Sequence, residues 1–138
     1  MEIYPDHIPS EIQSLESFMF WKNIRKGDGK MTKSPVSSTG CRIAHNNTDE
    51  LMPFESAKER LSETSGLGLG ISLLEGVKVN VETHTGYLWC LDFDGFAEPN
   101  SDKVDDGVLS FVESFPSYTE ISPSGTGFKY FFVCDRPP

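Results

Sequence analysis

Residues 118–133 read YTEISPSGTGFKYFFV, in which two β-strand stretches enclose a run of serines, threonine, proline and glycines. Such turn-forming residues between two strands mark a change of chain direction and raise the question of what the backbone holds there. Upstream, YLWCLDFDGF (87–96) is an apolar strand carrying Asp92 and Asp94. Residues i and i+2 of a strand share a face, so this spacing predicts that the two carboxylates project together.

Two carboxylates held close repel, and such a pair shares a proton or binds a cation. Hard oxygen donors suit Mg²⁺ or Mn²⁺, ions that neutralise triphosphate charge during phosphoryl and nucleotidyl transfer. The bland alternative is that the strand ends here, before Gly95, and both aspartates meet water. At SPSGTGFK, glycines 125 and 127 permit backbone conformations barred to other residues. That freedom predicts a concavity of exposed N–H groups, ringed by the hydroxyls of Ser122, Ser124 and Thr126, able to cradle phosphate oxygens. Lys129 would add positive charge at its rim. Read alone, the same letters make an ordinary hairpin loop.

The remaining elements are short and punctuated. A first helix capped by Ser10 is followed by an aromatic strand, SFMFWKNI, a KGDGK turn and a partner strand, MTKSPV, ended by Pro35. PFESAKERLSE reads as a helix with Phe54, Ala57 and Leu61 on one face. GLGLGISLLEG has phosphate-loop spacing but lacks a preceding strand and a following Gly-Lys-Ser/Thr helix. It is read as a strand whose glycines allow close backbone packing. VKVNVETHTGYLWCLDFDG predicts a hairpin into a central strand, and VDDGVLSFVESF a helix. The order β, β, α, β, β, β, α, β, β defines one α+β domain over 1–138, with helices against a mostly antiparallel sheet.

Charge narrows the partners. Residues 1–60 hold 8 basic and 9 acidic side chains, residues 61–138 hold 4 and 12, and the net charge is −9. This balance argues against non-specific nucleic-acid binding over the whole surface. KNIRKGDGKMTK (22–33) is a local cationic strip that either holds phosphates or is a solvated hairpin. No apolar run is long enough to span a bilayer, and the opening MEIYPDHIPSEIQ lacks the layout of a secretory signal, so no membrane partner and a cytoplasmic location are expected. Cys41, Cys90 and Cys134 are far apart, which argues against zinc or a disulfide framework; Cys90 and Cys134 read as buried thiols. His7, His45 and His84 sit in polar, turn-rich surroundings.

SYTEISPSGTGFKYFF, together with FWKNIRKGDGKMTKSPVSSTGCRIAHNNTD, FESAKERL, SGLGLGISLL and LDFDGF in that order, resembles the primase-polymerase domains of phage and plasmid replication proteins. These domains belong to the archaeo-eukaryotic primase superfamily. The resemblance implies an RRM-like catalytic sheet and a metal-dependent nucleotidyltransferase that uses nucleoside triphosphates on a DNA template, alongside a helicase domain or protein. It implies that Asp92 and Asp94 bind Mg²⁺ or Mn²⁺ and that Gly127, Phe128 and Lys129 contact the incoming phosphates, with Ser122, Ser124, Gly125 and Thr126 in the same turn. Lys33, on the basic strand, would face nucleotide or template.

Two departures accompany the resemblance. Lys129 stands where most members carry histidine, so it pairs with phosphate as a point charge and offers no ring nitrogen. The family's third acidic motif, expected after a further strand, does not follow CDRPP. The expectation is therefore the front part of such a domain, with an exposed sheet edge, or a catalytically silent nucleotide- or DNA-binding module. LDFDG also resembles the first motif of haloacid dehalogenase phosphatases, in which Asp92 would be the nucleophile.

Overall fold

The computed structural model describes residues 3–74, 76–96 and 103–137. Met1 and Glu2 of the acidic opening, Glu75 of the glycine-rich stretch and Pro138 of the final CDRPP lie outside them. Three α-helices and seven strands follow the expected order: α1 (Ser10–Gln13), β1 (Phe18–Arg25), β2 (Met31–Val36), α2 (Phe54–Glu63), β3 (Gly68–Ile71), β4 (Lys78–Val81), β5 (His84–Phe93), α3 (Asp106–Ser114), β6 (Thr119–Ile121) and β7 (Phe128–Cys134). The architecture is α+β, and every strand pairing is antiparallel.

The strands divide into two sheets, ordered β2-β1-β3 and β4-β5-β7-β6, where the sequence suggested one. The physical reason lies in the alternation of β1, which has core residues on one face only. Phe18 and Phe20 are each 1% exposed, and they need a second apolar layer to cover them. That layer comes from Val79, Leu88 and Phe131 of the other sheet, with Ile12 of α1, Leu15 just after it, and Phe54 and Ala57 of α2 closing the same core. The Phe18 and Phe54 rings meet at 5.3 Å between centroids.

The glycines of GLGLG serve packing. A Cβ on Gly68 would fall 2.0 Å from the Trp21 ring, and the Trp21 indole N–H donates to the Leu69 carbonyl at 3.0 Å. Trp21 can lie flat on β3 only because Gly68 has no side chain. At the KGDGK turn Gly29 takes φ +83, and Asp28 accepts the Lys30 N–H.

Two local expectations need correcting. Ser10 is the first residue of α1, its hydroxyl bonded to Glu11, and Pro9 holds the cap position without a side-chain bond. Strand β2 runs through Pro35 to Val36. A proline is tolerated there because β2 is an edge strand of its sheet.

In the second sheet, β5, α3 and β6 form a split β-α-β unit: β5 and β6 run parallel, with β7 inserted antiparallel between them. Helix α3 starts under an Asp105 cap that accepts the Gly107 and Val108 N–H groups. Phe111 lies against Phe93 and Tyr130, which fixes α3 to one face of the β5–β7 pair. The opposite face, carrying Leu88, Cys90 and Asp92 in register, turns toward the core and emerges at its rim.

Phe20 joins both sheets in one core, so Phe20→Ala is expected to cost about 3–5 kcal/mol, measured by chemical denaturation. A loss below about 1 kcal/mol would mean that the sheets do not share a core.

Candidate functional site

Strand β7 pairs along its whole length with Tyr87–Phe93 of β5, and the register sets Asp92 opposite Lys129 and Phe93 opposite Phe128. The Lys129 ammonium lies 2.6 Å from Asp92 Oδ2, with both side chains partly exposed. On the other side of Lys129 stands Glu120 of β6, directly opposite in register. In strand order Lys129 thus stands between two acids, and its ammonium is paired with Asp92. Glu120 also accepts the Tyr118 hydroxyl at 2.7 Å, and burial, followed by that bond, raises the Tyr118 pKa.

The two stretches singled out in the sequence meet at Gly127. A Cβ there would come within 2.3 Å of the Phe93 carbonyl and 3.3 Å of the Asp94 Cα. Glycine is required by this close approach, since Gly127 does not share the positive φ of Gly125, +71. The SPSGTG turn therefore lies on the backbone that follows Asp92.

Asp94 departs from the expected geometry. Strand β5 ends at Phe93, and Asp94 opens a turn in which Gly95 takes φ +77. The chain bends away there, so strand alternation no longer aligns the two carboxylates. Among the described residues no group of three or more His, Cys, Asp or Glu is placed to hold a metal ion. The donors present are hard carboxylate oxygens, a set suited to a cation bound jointly with substrate phosphates and not to an all-protein cage.

The turn also differs from the expected ring of free N–H groups. Gly125 N–H donates to the Ser122 carbonyl, Gly127 N–H to the Ser122 hydroxyl at 3.1 Å, and Ser122 N–H to the Gly127 carbonyl. The hydroxyls form a chain, Ser122 to Ser124 at 2.8 Å and Ser124 to Thr126 at 2.7 Å. A buried Ser122 explains this inward arrangement, because its polar atoms must be satisfied within the loop. What the turn offers outward is its hydroxyls.

Lys33 and Ser124, from distant parts of the sequence, border one cavity of about 430 Å³ with Asn23, Met31, Thr32 and Pro123. The Lys33 ammonium lies 5.3 Å from the Trp21 ring centroid, a cation–π contact. Asp92, Asp94 and Lys129 do not line this cavity.

Sequence reasoning missed Glu120 and Tyr118. The signal was available in the period-2 register of YTEI, which sets Tyr118 and Glu120 on one face once β6 is aligned with β7. Cys90, two residues before Asp92, is half-buried and not fully enclosed; desolvation pushes its thiol up to about 11, and the nearby Lys129 opposes the shift. Cys134 is likewise half-buried, and the three histidines are exposed as expected.

Compared with known proteins, the chain matches no protein-family model, and no curated protein is significantly similar to it. The class that fold and site define is a two-sheet α+β domain with a lysine–carboxylate pair beside a hydroxyl-lined turn.

Two outcomes check this geometry. Gly127→Ala should cost about 1–3 kcal/mol by forcing β7 off β5, read from thermal unfolding; an unchanged midpoint would disprove the close approach. At pH 8 the raised Cys90 pKa should leave roughly 10²-fold less thiolate than an ordinary cysteine, so iodoacetamide followed by peptide mapping should mark Cys41 well before Cys90.

Proposed function

We propose that the chain is a primase-polymerase-type nucleotidyltransferase domain, acting on nucleoside triphosphates with a DNA template. The single observation that carries this reading is the contact of the SPSGTG turn with the Asp92–Asp94 backbone, with Lys129 paired to Asp92 beside it. The split β-α-β arrangement of β5, α3 and β6 is consistent with an RRM-like half-sheet.

The residues divide the work by charge. A triphosphate entering beside Lys129 offers its ammonium a more highly charged partner than a single carboxylate. Asp92 is then released as an oxygen donor, and Asp94 follows it on the chain. Glu120, opposite Lys129 in register, adds a second negative charge on the same face. The hydroxyls of Ser124 and Thr126 can donate to phosphate oxygens, while Gly127 keeps the turn pressed against β5. Mg²⁺ or Mn²⁺ held by Asp92 and Asp94 with the phosphates would neutralise triphosphate charge and align the attacking oxygen.

A second reading, a nucleotide- or DNA-binding module without catalysis, is favoured by one specific observation. Asp92 already has a cationic partner, and no third metal donor stands near among the described residues.

The test is manganese-dependent incorporation of labelled nucleotides on a primed or unprimed template. Asp92→Asn should lower incorporation about 10²-fold or more, the size expected when several kcal/mol of charge stabilisation is removed. An exposed ion pair contributes only about 0–1 kcal/mol to folding, so the same variant should unfold within a few degrees of the parent. Binding without incorporation supports the second reading. Phosphomonoester hydrolysis with an aspartyl-phosphate trapped at Asp92 would replace both with a phosphatase.

A further inference from the structure

The cations of the 22–33 strip do not share one environment. Side chains directly opposite each other in a sheet lie on the same face, and the β1–β2 register pairs Lys22 with Ser34 and Asn23 with Lys33. Lys33 therefore points away from the core, toward Trp21, while Lys22 emerges on the core side. Ser34 is 6% exposed, and Arg42 places its Nε 3.3 Å from the Ser34 hydroxyl. Both cations are thus tied to Ser34, Arg42 by its hydrogen bond and Lys22 by strand register.

The segment between them, Ser37 to Gly40, is a hydroxyl-rich turn. It is held by the Gly40 N–H bond to the Ser37 carbonyl and by the reciprocal bond from Ser37 N–H to the Cys41 carbonyl. Ser37, 8% exposed, bonds Thr39 through their hydroxyls at 2.8 Å and accepts the Cys41 N–H. Gly40 has φ +81, and a Cβ on it would come 2.6 Å from the Lys22 ammonium. The missing side chain is the space the ammonium occupies.

Among the described residues no carboxylate lies within ion-pair distance of Lys22 or Arg42. Two like charges beside one turn, on a protein of net charge −9, are left without an acid at ion-pair distance. Repulsion opposes that arrangement unless an anion joins it. We propose that Lys22, Arg42, Ser34 and the Ser37–Gly40 turn form a phosphate-binding site on the β1–β2 hairpin, distinct from the Asp92–Lys129 pair. Its ligand is a phosphate group, from a free nucleotide or from a nucleic-acid backbone. Arg42 provides a planar fork for phosphate oxygens and Lys22 a point charge. The site needs no metal and holds whether or not the chain is catalytic.

The test uses the whole chain with two probes, a fluorescent single-stranded oligothymidylate and inorganic tripolyphosphate. Lys22→Gln combined with Arg42→Gln should weaken binding of at least one probe about tenfold or more. For the oligonucleotide, the log–log salt slope should become shallower by about 1.4, two lost phosphate contacts. Loss confined to the oligonucleotide assigns the site to backbone phosphates, and loss confined to tripolyphosphate assigns it to a nucleotide. Lys22→Arg, which keeps the charge, should bind as the parent does. Unchanged affinity for both probes in the double variant overturns the proposal.

A second measurement needs no substitution. Tripolyphosphate added to the ¹⁵N-labelled parent chain should shift the amide resonances of Lys22, Gly40 and Cys41. Shifts confined to residues 122–129, or absent altogether, overturn the site. Shifts confined to Lys22, Gly40 and Cys41 instead support it while counting against the reading built on Lys129.

Discussion

The antiparallel ladder between β5 and β7 is the constraint on which the rest of the molecule depends. Its register decides at once which residues face the common core, which face α3, and where a cation meets an anion. Leu88 and Phe131 enter the core from this pair, Phe93 and Tyr130 receive Phe111 on the other side, and Lys129 meets Asp92 where the ladder runs out into solvent. A slip of one residue would exchange the two faces and drive Lys129 toward α3. Gly127 guards against that slip, because only a residue without a side chain fits beneath the Phe93 carbonyl at this register.

The elements themselves were legible in the sequence, and for identifiable reasons. Turn residues bounded them: Gly29 at the first hairpin, Pro53 before α2, Ser122 to Gly127 before β7. The aromatic run SFMFWKNI and the apolar run YLWCLDF marked two of the strands between them. What the sequence did not reveal was the division into two sheets, because that depends on which strands find each other and not on any local preference. The GLGLG stretch illustrates the limit. Its glycines were correctly read as permitting close packing, yet nothing near them indicated that the indole of Trp21, 47 residues earlier, would fill the space.

The candidate site was legible in its parts and not in its arrangement. That Asp92 and the 122–129 segment belong together followed from residue types, and the pairing of β5 with β7 brings them side by side. Strand alternation does not extend to Asp94, because β5 stops one residue short of it. The turn failed to expose its N–H groups because a buried Ser122 requires those bonds for itself. Glu120 was overlooked because the period-2 pattern of YTEI gives it a role only once β6 is set in register against β7.

The hydroxyl chain in the SPSGTG turn has a consequence for what can approach it. In both the Ser122–Ser124 and Ser124–Thr126 bonds either oxygen can serve as donor. Rotating the three O–H bonds reverses the polarity of the whole relay without moving a heavy atom. Its outer end can therefore greet an anion with a proton or a cation with a lone pair, so the loop adapts to the sign of its visitor at almost no structural cost.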